Sequence, residues 1–203
     1  MHLQKIGEID LTIVSPQKNG VVKASEILNA INEKTFLVSV MYANNEIGTI
    51  QPIDEIGRGI LKYRKQSVSH GAQSQSQSVG TRDVGPLGKL GAGGGTIFPL
   101  FHTDACQAAG YLDLDVEKLH VDLMTLNGGK IYGPKGIGML FVRRGVKLAP
   151  MVMGGGQERG LRSGTENVPG IVGLSKALEI SQIERAKESK RLSALRDRLI
   201  QNL

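Results

Sequence analysis

Three polar clusters follow apolar, β-branched runs in this 203-residue chain. Asn44-Asn45-Glu46 follows TFLVSVMY, His102-Thr103-Asp104 follows IFPLF, and Asn127-Gly128-Gly129-Lys130 follows VDLMTL. In open parallel sheets, ligands gather beyond the carboxyl ends of the strands. If the three runs are neighbouring strands, Asn45, Asp104 and Lys130 converge on one crevice. An amine and a carboxylate meeting there suit pyridoxal phosphate (PLP). The amine forms a Schiff base with the aldehyde, and the carboxylate keeps the pyridine nitrogen protonated so that the ring acts as an electron sink. A lysine serves when its neutral, nucleophilic form is accessible, and the glycines before Lys130 let the backbone approach the ring. The same residues also fit a surface lysine in a glycine turn, with Asp104 as a helix cap. Spacing alone leaves both readings open.

A second glycine-rich stretch, GGGQERGLRSGTEN at 154–167, offers backbone amides, Ser163, Thr165 and two arginines. Such a set can hold a phosphate or simply form a structural loop. The G-x-x-x-x-G-K-[ST] pattern is absent, since Lys130 is followed by Ile131. That weakens the case for a nucleotide-binding α/β domain, which would bind ATP or GTP without a Schiff base.

The elements that must position these residues read as alternating strands and helices. A strand is expected at 11–15, closed by Pro16, and a helix at 25–33 with Ile27, Leu28 and Ile31 on one face. Residues 35–42 read as a strand buried on both faces. Pro52 opens a helix striped by Ile53, Ile56, Ile60 and Leu61. Residues 66–95 are rich in Gln, Ser and Gly and read as a flexible surface insertion, with His70 solvated inside it. Strands are expected again at 97–103, 121–127 and 137–143, with a short helix through 107–109 and a brief turn at DVEKL. A long helix over 168–203 places Leu192, Leu195 and Leu199 at helical spacing. The alternation predicts a mostly parallel sheet covered on both faces. The stripe on the closing helix wants a partner, which marks the chain as part of a larger enzyme.

Composition narrows the classes. The net charge is +6, but the basic residues are dispersed among acids and no aromatics are interleaved with them. This argues against direct nucleic-acid binding. The single cysteine, Cys106, excludes a disulfide within the chain and a multi-cysteine metal site. It reads as a small packed residue. No apolar run reaches the ~18 residues of a membrane span, and the first residues lack a secretory pattern. A cytoplasmic setting without membrane or metal is therefore expected.

Taken together, MYANNEIGTIQPI, FHTDACQAAGYLDLDV, KIYGPKGIG and GGGQERGLRSGTENVPGIVG closely resemble the cysteine desulfurases of the class V aminotransferase group. The resemblance runs from about residue 11 to the end, interrupted by the Gln/Ser insertion. It implies an α/β fold: an incomplete large domain of the three-layer α/β/α, fold type I (aspartate-aminotransferase-like) PLP-dependent transferases. Residues 1–167 would be the partial PLP-binding domain, and 168–203 a helix leading to a small domain beyond this chain.

The resemblance also assigns roles. Lys130 is the catalytic Schiff-base lysine, Asp104 pairs with the pyridine nitrogen, and Gln107 binds the phenolic oxygen. Asn45 positions ring and substrate. Asn127 stands where a phosphate-binding serine is common, and Thr165 reaches the partner subunit's phosphate across a homodimer. The implied reaction takes sulfur from L-cysteine, giving alanine and an enzyme persulfide that feeds iron–sulfur cluster assembly, through a scaffold or other sulfur-acceptor protein, or tRNA thiolation. The sulfur-accepting cysteine loop and the substrate-carboxylate arginine are expected further downstream than this chain reaches. An upstream half-domain is expected before it, and Gly129 stands where many relatives carry a histidine. The chain alone is therefore expected to be inactive. A selenocysteine lyase, or a non-catalytic interaction module built from the same fold, are the alternatives.

Overall fold

The computed structural model describes residues 2–71 and 98–203. The elements in order are α1 (His2–Lys5), α2 (Ala24–Ala30), β1 (Leu37–Met41), α3 (Ile53–Gly71), β2 (Leu100–Asp104), α4 (Val116–Leu119), β3 (Leu123–Asn127), β4 (Gly138–Val142) and α5 (Val168–Gln201). Two short 3-10 turns, Gly128–Lys130 and Glu158–Gly160, interrupt the loops.

The four strands form one sheet in the order β1-β2-β3-β4. β1 and β2 are parallel, as are β2 and β3, while β4 runs antiparallel to β3. The chain thus has a mixed, mostly parallel sheet with helices packed against it. Alternation divides each strand between two faces. Val38, Val40, Phe101, Met124, Leu126 and Phe141 join a core with Ile27 of α2, Ile53, Ile56 and Ile60 of α3, and Leu174 of α5. Ser39, His102, Asp104 and Thr125 occupy the alternate positions.

Several expectations are corrected. Residues 11–15 carry no regular secondary structure and pair with no strand among the described residues, so the expected first strand does not form. Val14 packs on the core from this position. β1 is not buried on both faces: among the described residues it is the edge strand, with Leu37 41% exposed. The helix expected at 107–109 is a run of tight turns, closed by Ala108 and Ala109 N–H bonds to the Ala105 carbonyl. DVEKL is a true helical turn, because Asp115 caps it by accepting from Glu117 and Lys118 N–H. Residues 66–71, expected to open the insertion, are helical, since α3 continues through Gly71. Ser and Gln carry only small helix penalties there, and no breaker precedes the glycine. The rest of that segment, from 72 to 95, lies outside the described residues.

Candidate active site at the strand ends

The register of the parallel strands builds the site. Met41 pairs with Asp104, and Asp104 with Thr125, so the carboxyl ends of β1, β2 and β3 lie side by side. Beyond β1 the chain folds back through an Ala43–Ile50 antiparallel bridge. Asn44 Oδ1 shapes this turn by accepting from the N–H groups of Glu46 and Ile47, at 2.9 and 3.0 Å. Asn45 is exposed beside it.

Asp104 closes β2. Its carboxylate accepts the Cys106 N–H at 3.0 Å, and the Ala105 N–H reaches the Thr125 carbonyl at 3.0 Å. The turn that follows packs tightly because Ala105, Ala108 and Ala109 are fully buried. Gln107 lies half-buried on that turn.

Lys130 ends the 3-10 turn directly after β3 and is exposed. Asn127 caps the turn, its Oδ1 accepting the Gly129 N–H at 2.9 Å. Glycine is required at 128, where a Cβ would lie 2.9 Å from the Pro134 carbonyl oxygen. The loop after Lys130 is backed by α5: a Cβ on Gly133 would meet Ala177 at 3.0 Å, and one on Gly173 would meet Pro134 at 2.5 Å. Absent side chains at these two positions let helix and loop touch.

Electrostatics tie the pieces together at Cys106. Burial pushes its thiol up to about 12, and the hydrogen bond and charge of Asp104 add to this, while Lys130 pulls the other way. Asp104 and Lys130 therefore act on one atom from two strand ends. Burial also lowers His102 below its ordinary value, against an opposing pull from Asp104.

The structure thus brings Asn45, Asp104, Gln107, Asn127 and Lys130 to one end of the sheet. Thr165 stands apart, exposed on the loop before α5. That loop is held by Gln157 Oε1, which accepts the Gly164 N–H at 3.0 Å, and by Ser163 Oγ, which accepts from Gly156 at 3.3 Å. Gly156, Glu158, Arg159 and Gly160 all have positive φ.

Sequence reading placed His102 at a strand end but gave it no role and missed its partners Ser39 and Thr125, which it joins across three strands on the Asp104 face. The signal was available: in His-x-Asp, alternation puts His102 on the face of Asp104. At the opposite end of the strands, a cavity of about 150 Å³ is lined by Leu61, Arg64, Glu117, His120, Asp122 and Arg143. Its charges are engaged in the ion pairs Arg64–Asp122 and Arg143–Glu117.

The donor set fits PLP. An exposed amine, a half-buried carboxylate and an amide whose Oδ1 is occupied, leaving Nδ2 to donate to an anion, all stand at adjacent strand ends.

Comparison with known proteins agrees with this geometry. The family profile described as aminotransferase class-V matches residues 1–88 and 74–203. Cysteine desulfurase IscS of Methanosarcina thermophila is 43% identical over 194 residues, covering 96% of this chain and 40% of the relative. Cysteine desulfurase IscS 1 of Archaeoglobus fulgidus is 42% identical, covering 100% of the chain and 44% of the relative. Among solved structures, a NifS-like protein superposes with a TM-score of 0.79 at 37% identity, over 99% of this chain and 46% of that one. A structure titled SspA in complex with cysteine gives a TM-score of 0.68 at 37% identity, over 88% and 42%. The chain spans less than half the length of these relatives. Its motifs, its sheet and a match over both of its halves agree: the chain belongs to the class-V aminotransferase family.

Proposed function

We propose that this chain is the cofactor-binding part of a PLP-dependent cysteine desulfurase, with Lys130 as the attachment residue. The observation that carries the reading is the junction of Lys130 and Asp104 at adjacent strand ends, both felt by the Cys106 thiol between them. The IscS relatives, at about 40% identity, support cysteine as the substrate. PLP, when bound, supplies the electron sink that makes the substrate's bonds labile.

The chain's own groups hold and aim. Lys130 would hold the cofactor through its amine, and Asp104 would pair with the pyridine nitrogen. Gln107 would bind the phenolic oxygen and Asn45 would help position ring and substrate. Asn127 Nδ2 would be the group left to donate to the phosphate, since its Oδ1 accepts the Gly129 N–H. Gly129 has no titratable side chain, so proton movement at this strand end falls to Lys130. Thr165, exposed on its loop, serves the phosphate site of a second subunit in a homodimer. In this reading residues 1–167 bind the cofactor and 168–203 lead toward the rest of the enzyme, which works in the cytoplasm and passes sulfur to an iron–sulfur scaffold or similar acceptor. The only thiol in the 203 residues is Cys106, and it is held protonated. In this reading Cys106 is a packed residue and not the sulfur acceptor.

The test is attachment. The full chain is incubated with PLP, reduced with borohydride, digested and mapped by mass. The label is expected on Lys130 and lost in Lys130→Ala. A label spread over surface lysines, or none at all, sinks the reading.

A further inference from the structure

His102 makes two side-chain hydrogen bonds, one to each neighbouring strand. Its Nδ1 lies 2.8 Å from Ser39 Oγ on β1, and its Nε2 lies 2.8 Å from Thr125 Oγ1 on β3. The register explains the fit: Ser39 is the direct partner of His102, and Thr125 is the partner of Asp104, two residues on. Parallel strands are joined by evenly spaced, slanted bonds, so their backbone alone specifies sliding weakly. A side chain bonded to both neighbours fixes the three strands relative to one another.

The position of this bridge matters. Asp104 follows two residues later on the same face, and Thr125 presents its backbone carbonyl to Ala105 N–H (3.0 Å) and to Cys106 Sγ (3.8 Å). The turn carrying Cys106, whose N–H binds the Asp104 carboxylate, therefore hangs on the residue that His102 holds.

We propose that His102, bridging Ser39 and Thr125, is a positioning residue that sets the Asp104 carboxylate against the end of β3. The relevance of that carboxylate to a cofactor rests on the function proposed above; the bridge itself does not. A neutral imidazole has one donor and one acceptor nitrogen, and each hydroxyl can do either. With a neutral ring the bridge is satisfied in either direction, Ser39 to Thr125 or the reverse, and a protonated ring would donate to both hydroxyls.

The test uses hydrogen exchange on the full chain without cofactor. The Cys106 amide reports on the Asp104 carboxylate directly. In His102→Leu its exchange is expected to rise about tenfold, the worth of roughly one hydrogen bond, while the β1–β2 ladder amides change less. His102→Gln restores one arm of the bridge, so part of the protection should return. Uniform acceleration of all sheet amides would mean a merely structural histidine. Unchanged Cys106 exchange would mean no coupling. Either result overturns the proposal. PLP labelling of the same wild-type sample separates the two ideas: if Lys130 is unlabelled but Cys106 exchange responds, the cofactor reading fails and the bridge stands.

Discussion

The Asp122 carboxylate accepts the backbone N–H of Phe101 at 2.7 Å. It is also ion-paired with Arg64 of α3, whose guanidinium binds the Pro99 carbonyl as well. Both side chains are nearly buried, at 11% and 6% exposure for Arg64 and Asp122. Helix α3 is thereby locked to the entry of β2 and β3, at the end of the sheet opposite Lys130. Removing one partner of a buried pair leaves the other charge uncompensated, which costs about 3–5 kcal/mol. Asp122→Ala should lose that much in urea unfolding, and adding Arg64→Met should recover part of it. A loss no larger than that of a surface ion pair would show the pair to be solvated.

Gly173 and Pro134 couple α5 to the lysine loop. A methyl on Gly173 would sit 2.5 Å from the proline ring, which cannot swing aside. Alanine gains up to about 1 kcal/mol of helix propensity over glycine, but overpacking costs roughly 1–3 kcal/mol. Gly173→Ala should therefore lower the melting temperature and weaken PLP retention, although no residue of 127–130 changes. Gly129→Ala should be milder, since its Cβ meets only the Asn127 side chain at 3.3 Å and Lys135 at 3.8 Å. Equal cofactor retention in Gly173→Ala and wild type would show that α5 does not support the loop.

His102 gives folding a pH dependence of definite sign. Burial lowers its pKa below 6.5, and Asp104 opposes only in part. The unfolded chain then binds a proton that the folded chain resists, so stability is complete above 6.5 and declines as pH falls below it. Urea midpoints at pH 7.5 and 5.5 should separate more in wild type than in His102→Gln. Parallel curves in the two proteins would show that the imidazole protonates freely in the fold.

The site was more legible than the scaffold around it. Asp104 and Lys130 could be placed at neighbouring strand ends because apolar runs followed by polar clusters mark where a parallel sheet meets solvent. The strand expected at 11–15 failed for a different reason. β-propensity records fitness for a pleated, half-buried surface and does not supply a partner, and LTIVS finds none among the described residues. β1 read as doubly buried because its composition is that of an inner strand, yet it is the edge strand among the described residues. The stripe on α5 was visible, but Leu195 and Leu199 remain 49% and 62% exposed. Periodicity shows which face seeks burial, not what covers it. The Ser39–His102–Thr125 bridge depends on register across three strands, which pattern alone does not give.

Cys106 offers the sharpest test of what this region is not. A sulfur acceptor must be a thiolate near neutral pH. Burial, the Asp104 hydrogen bond and the Asp104 charge instead raise this thiol from 9.0 to about 12, and Lys130 only partly offsets them. Alkylation by iodoacetamide should be slow at pH 8 and rise only in strongly alkaline buffer. Asp104→Asn should move the profile to lower pH, and Lys130→Ala to higher pH. The same shift acts on folding. Between 9 and about 12 the unfolded chain has released a proton that the folded chain keeps, so this contribution is intact below 9 and is lost as pH rises through that window. Cys106→Ala should remove that part of the alkaline destabilisation. A thiol that alkylates rapidly at pH 7, with a profile indifferent to Asp104→Asn, would contradict the packed, protonated cysteine and reopen it as a sulfur carrier.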